Sequence, residues 1–239
     1  MLLFFVRHGD PIYHPDSLTE LGKLQADAVA KRLARYGMDE IYASTSFRAR
    51  QTAQPLCDLL KKEAILLDWA HEEYAAADLT VKYPEGKRKW VFRDPEMRRL
   101  LNTEEIRRLG KQWYTHPAFA ETNFASGMER IQRETDGFLL SLGYRHDPEN
   151  HCYYAERDWD GRVAFFAHEG MGMAFLSCVL DIPYPIFATR TLMTHSGVTV
   201  IRFEAALDGM VIPELMMFSN DSHIYAEGLP TKFRNEIYL

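Results

Sequence analysis

Four short apolar runs punctuate the chain, and what separates them dictates the fold: LLFFV at residues 2–6, DEIYAS at 39–44, EAILLDW at 63–69 and GRVAFFAH at 161–168. LLFFV has no polar residue on either face, so a strand made from it must be covered on both sides, as in a parallel sheet. Between the first two runs, LTELGKLQADAVAKRLARYG sets Leu18, Leu21, Leu24, Ala28 and Leu33 near helical spacing. Thr19 or Ser17 can cap that helix and Gly37 can close it. SFRARQTAQPLCDLLKK then opens a second helix despite Pro55. Strand, helix, strand, helix, strand implies right-handed crossovers and a parallel sheet.

The alternation stops at about Glu72 and resumes near Trp159. The intervening text is aromatic and basic and reads as helical, without a clear strand. We therefore expect one α/β domain over residues 1–239. It would be a three-layer α/β/α arrangement with a mostly parallel sheet, and a helical insert at about 74–160 would cover the C-terminal edge of the strands. After GRVAFFAH, MGMAFLSCVL reads as a buried helix, and GVTVIRFEAA and MVIPELMMF as closing strands, in an edge hairpin.

Charge narrows the partners. The 239 residues carry a formal net charge of -6, which leaves no basic surplus for nucleic acid or an anionic membrane, although one pocket can still be basic. Cys57, Cys152 and Cys178 are too widely spaced for a disulfide framework or a cysteine zinc site. No run approaches the ~20 apolar residues of a membrane span, and the N-terminal run is cut short by Arg7. A cytoplasmic protein without metal or cofactor is the expectation; nothing in the sequence bears on oligomeric state.

Three strand ends carry chemistry. The first delivers Arg7 and His8, the second Ser44 and Arg48, and a later one His168. In open α/β sheets ligands bind at the C-terminal edge. If these strands are neighbours, two arginines and two histidines converge there. Arginine forks bind phosphate, and a neutral imidazole can attack phosphorus. A small phosphorylated metabolite is the expected partner.

At this point the sequence resembles the histidine phosphatase (phosphoglycerate mutase-like) superfamily. The resemblance lies in RHG at Arg7 to Gly9, LTELGKLQA at Leu18 to Ala26, RARQTA at Arg48 to Ala53, and the strand-borne His168. It implies that His8 is the nucleophile and becomes a phosphohistidine. Arg7, Arg48 and His168 would hold the phosphoryl oxygens, with Ser44 beside them. It also implies an acid shortly after the third strand, where DWAHEEY offers Glu72 and Glu73. The tryptophan-x-x-glutamate spacing from Trp69 favours Glu72, and a slip of one residue would make it Glu73.

Two departures from the family pattern stand out. Ala43-Ser44-Thr45 occupies the place of Ser-Ser-Pro, and His168-Glu169-Gly170 the place of His-Gly. A carboxylate beside a phosphate pocket repels anions, so Glu169 is expected to point away.

The leading functional expectation is a metal-independent phosphatase for a small phosphate monoester. A phosphoglycerate mutase-type phosphotransferase would need the same residues, but EEYAA does not match the ERHYG-like pattern of mutases. A non-catalytic phospholigand-binding protein would be expected to lack the nucleophile or a clamp arginine, and both are present. His14, His71, His116, His146, His151, His195 and His223 read as loop or core histidines. The HDPENHC stretch lacks a paired metal-ligand motif. Lys87-Arg88-Lys89 reads as a solvated turn, and Trp90, Phe92, Trp113 and Tyr114 read as the core of the insert.

Overall fold

The computed structural model describes residues 1–236 other than 85, 158 and 234. In chain order the elements are β1 (Leu2–Arg7), the hairpin β2 (Pro11–Tyr13) and β3 (Asp16–Leu18), α1 (Glu20–Ala34), β4 (Glu40–Ser44), α2 (Phe47–Leu60) and β5 (Ile65–Leu67). Next come α3 (Glu72–Asp78), the hairpin β6 (Thr80–Lys82) and β7 (Arg88–Trp90), α4 (Pro95–Leu101), α5 (Glu104–Arg108), α6 (Phe124–Ser141), and the hairpin β8 (Tyr144–Asp147) and β9 (Cys152–Ala155). The chain continues through β10 (Arg162–Ala167), α7 (Glu169–Val179), α8 (Tyr184–Ala188), β11 (Val198–Arg202), β12 (Met210–Val211), β13 (Glu214–Asn220) and α9 (Ser222–Ala226).

The main sheet has the order β13-β11-β1-β10-β4-β5. β1, β10, β4 and β5 pair in parallel, while β11 runs antiparallel to both β1 and β13. Two cores flank it, because successive side chains of a strand point to opposite faces. Phe4, Val6, Ala164 and Phe166 pack with Val29 and Leu33 of α1 and Leu56 of α2. Leu3, Phe5, Val163 and Phe165 pack with α7 and with Phe138 and Leu139 of α6. The apolar run of β1 is therefore buried on both faces, as its composition requires. Every residue of α7 is buried.

Three expectations need correction. The insert is not purely helical: β6 pairs with β7, and β8 with β9. Strands such as TVK and YRHD are too short and polar to show a period of two. Leu24 is exposed, whereas Ala28 and Leu33 are buried as expected, and the buried residues of α1 are Gly22, Gln25, Ala26, Ala28, Val29, Ala30 and Leu33, mostly small side chains on the inward face. Lys87-Arg88-Lys89 is not simply a turn, since Arg88 and Lys89 belong to β7. The aromatics of the insert do form core, with Phe92 and Trp113 inaccessible to solvent. No helix among the described residues is long and apolar enough to cross a membrane.

Candidate active site

The register of β1 against β10 pairs Arg7 with Ala167, so the chain leaves both strands side by side at His8 and His168. β4 lies on the other side of β10 and ends at Ser44. Arg48 follows in the first turn of α2, whose N-cap is Ser46. Topology alone thus gathers the residues singled out in the sequence at one edge.

The two motifs around RHG act as its brace. An added Cβ on Gly9 would stand 2.6 Å from the Gly22 carbonyl oxygen, and one on Gly22 would stand 2.2 Å from the Asp10 carbonyl oxygen. The RHG loop and α1 therefore meet backbone to backbone. The Asp10 amide donates to Gln25 Oε1 at 2.8 Å, and the Gly9 amide donates to Thr52 Oγ1 at 3.0 Å. Gln51 Oε1 accepts from the Leu18 amide at 2.8 Å. Gly22, Gln25, Gln51 and Thr52 are thus scaffolding for the strand end. Gly22→Ala is expected to cost about 1–3 kcal/mol in chemical denaturation, the usual penalty of overpacking, because backbone cannot step aside as a side chain can.

His8 is buried, and its Nδ1 lies 2.7 Å from the Gly9 carbonyl oxygen. A carbonyl only accepts, so Nδ1 carries the proton and Nε2 keeps its lone pair. Burial, together with His168, Arg7 and Arg48, holds the pKa well below that of an ordinary histidine. At neutral pH the ring is uncharged, the form a nucleophile needs.

His168 is arranged differently from expectation. Arg48 Nη2 donates to its Nδ1 at 3.1 Å, which leaves the proton on Nε2. That nitrogen faces Ser44 Oγ at 2.9 Å and Ser46 Oγ at 3.2 Å. Burial and the charge of Arg48 keep this ring neutral too. Both nitrogens are committed to protein, so His168 serves the pocket by orienting Arg48 and by packing edge-on to His8 at 5.1 Å between ring centroids. Ser44 is fully buried and its hydroxyl oxygen accepts from His168 Nε2, so it supports that ring.

The arginines keep donors in reserve. Arg7 Nη1 donates to the Met193 carbonyl at 2.5 Å, and Arg48 Nη1 pairs with Asp16 at 2.7 Å. Yet the Nε atoms of Arg7 and Arg48 are buried without a hydrogen-bond partner. Buried donors of this kind are costly unless a ligand satisfies them.

Glu72 opens α3, capped by His71. Its two carboxylate oxygens accept from the Gly170 and Met171 amides at the start of α7, each at 3.1 Å. Burial pushes its pKa up to about 7, against the pull of those amides and of Arg48 and Arg7. Glu73 is exposed and turned away. The carboxylate brought to the pocket is therefore that of Glu72.

Glu169 does not point away. It is buried, it lies 3.6 Å from Arg7 Nη1, and it forms a close ion pair with Arg93 from the insert. The second cation is what lets a carboxylate stay there. Sequence reasoning missed Arg93, whose only signal was the basic character of the insert. It also missed His195, whose ring lies 5.7 Å from that of His8 and whose Nδ1 is 3.4 Å from Asp10. That histidine sits on a loop which wraps RHG, where the Ser196 amide donates to the His8 carbonyl and Gly197 accepts from the Arg7 amide.

Residues 3–111 match the model of the histidine phosphatase superfamily (branch 1). This segment belongs to that superfamily. No curated protein matches the chain. Among solved structures, a mutant of phosphoserine phosphatase from Entamoeba histolytica in complex with phosphoserine superposes with a TM-score of 0.59 at 18% identity, covering 93% of this chain and 98% of that one. A mycobacterial glucosyl-3-phosphoglycerate phosphatase in complex with VO3 gives 0.57 at 16%, over 92% and 99%. A protein described as mycobacterial hydrolase 1 gives 0.60 at 19%, over 91% and 98%. These likenesses span more than nine-tenths of this chain and show a shared fold.

Proposed function

We propose that this protein is a metal-independent phosphatase that hydrolyses a small phosphate monoester through a phosphohistidine. The observation that carries the reading is a neutral His8, its Nε2 lone pair available, set among buried arginine donors that lack a partner. In the first step Nε2 attacks phosphorus while Arg7 and Arg48 hold the non-bridging oxygens, and Glu72 gives its proton to the departing alkoxide. The P–O bond breaks as the N–P bond forms. In the second step the Glu72 carboxylate takes a proton from water, whose oxygen attacks the phosphohistidine and frees phosphate. His8 then regains the neutral tautomer that Gly9 fixes.

The phosphatases among the structural neighbours support this class over a mutase, as does the absence of an ERHYG-like pattern after Glu72. The test is a screen of phosphorylated metabolites with the purified protein, with and without EDTA. Release of inorganic phosphate is expected, unchanged by the chelator, with an acid-labile and base-stable phosphoenzyme after a base quench. An isomeric phosphate ester in place of free phosphate would make it a mutase. Loss of activity in EDTA, restored by magnesium or zinc, would overturn the mechanism.

A further inference from the structure

The buried carboxylate that sequence reasoning expected to face outward is the least explained group in the pocket. Glu169 is 6% exposed. One oxygen lies 3.6 Å from Arg7 Nη1; the other pairs with Arg93 and accepts from the Met193 amide at 3.4 Å. Met193 in turn accepts from Arg7 Nη1 at 2.5 Å. Arg7, Met193 and Glu169 thus form a closed loop, tied to the insert by Arg93. Arg93 has a side chain 12% exposed and an Nε that is buried without a hydrogen-bond partner. Structural support alone does not require a negative charge there: a glutamine could accept from the Met193 amide equally well. What only a carboxylate adds is an anion beside the cation that an incoming phosphate must use.

We propose that Glu169 is a resident competitor anion, which shares Arg7 with the phosphoryl group so that the pocket holds inorganic phosphate less tightly and releases it. Arg93 pairs with the other oxygen of Glu169 and so sets the strength of that competition. The proposal rests on the phosphate pocket described above. In Glu169→Gln, Arg7 loses its neighbouring carboxylate and the pocket gains one unit of positive charge. Phosphate is then bound more tightly and turnover becomes limited by its release. In Arg93→Met the pocket loses a positive charge and Glu169 loses that ion pair, which leaves more of its charge to Arg7, so phosphate binds more weakly. The two substitutions move phosphate affinity in opposite directions, which a packing role would not do.

The experiment is calorimetric binding of inorganic phosphate to the full-length protein and to both variants, with circular dichroism as the check on folding. The dissociation constant is expected to fall roughly ten-fold or more in Glu169→Gln, the scale of removing one unit charge close to a partly desolvated cation. It should rise several-fold in Arg93→Met and return toward the starting value in Arg93→Lys. Equal affinity in wild type and Glu169→Gln, or a weakening in both Glu169→Gln and Arg93→Met, would overturn the proposal. If Glu169→Gln does not fold, the Arg93→Met and Arg93→Lys pair decides: weaker binding in the first with recovery in the second supports the competition, and equal binding in both overturns it. Wild-type protein that binds no phosphate would instead overturn the phosphatase reading, so the two failures are distinguishable.

Discussion

Turnover of p-nitrophenyl phosphate is expected to collapse in His8→Ala, by about 10³-fold or more, because the covalent path through His8 is removed. The other histidine that packs edge-on to His8 is His168, and its nitrogens are already committed to Arg48 and to Ser44 and Ser46. It therefore has no available lone pair to inherit the role. Arg7→Ala and Arg48→Ala should each cost about 2 kcal/mol or more in kcat/KM. Arg48→Ala should be the worse of the two, since it also frees His168 to turn and leaves Asp16 without its cation. A stopped assay with all three variants checks the order. Activity that survives in His8→Ala at the wild-type level would remove the mechanism altogether, whereas survival in either arginine variant would remove only that residue's part.

The sheet was legible because a strand buried on both faces has to be apolar throughout, and LLFFV and RVAFFA say so in their composition. The convergence at its edge was legible for a related reason. Parallel strands end on the same side, so polar residues placed immediately after apolar runs must meet. Glu72 was harder. It follows a short, half-exposed strand and a single helical turn, where no periodicity fixes which of two adjacent glutamates faces inward; the Gly170 and Met171 amides decide that in three dimensions. Arg93, His195 and the inward course of Glu169 were not legible at all. Each depends on a contact between segments far apart in sequence, and a lone arginine or histidine in a loop looks the same whether it is solvated or folded back. Ser44 shows the converse: its place beside the pocket was readable, but not that its oxygen accepts from His168.

Replacing Glu72 should separate substrates by their leaving groups. A sugar or glycerol alkoxide must be protonated as the P–O bond breaks, while p-nitrophenolate leaves unaided. General acids contribute typically ~10²–10⁴-fold, so Glu72→Gln is expected to lose rate in that range on an alkyl phosphate and far less on p-nitrophenyl phosphate. Glu73→Gln, exposed and outside the pocket, should change little on either. The pH dependence has a definite sign. An acid works only while protonated, and burial holds Glu72 up to about 7 in the free protein, well above an ordinary carboxyl. On an alkyl phosphate, kcat/KM should therefore hold up to near neutrality and fall as pH rises through that value. Bound substrate dianion favours the protonated form still further, so the same limb in kcat should lie at higher pH. Glu72→Gln should lose the limb on the alkyl ester, since an amide has no proton to give up in this range. Rate–pH profiles of both variants on both substrates are the measurement. If Glu73→Gln shows the leaving-group dependence, the acid is one residue further on and the inward carboxylate is only a helix cap; if neither does, the proton comes from elsewhere in the pocket, with His195 beside His8 the first group to test.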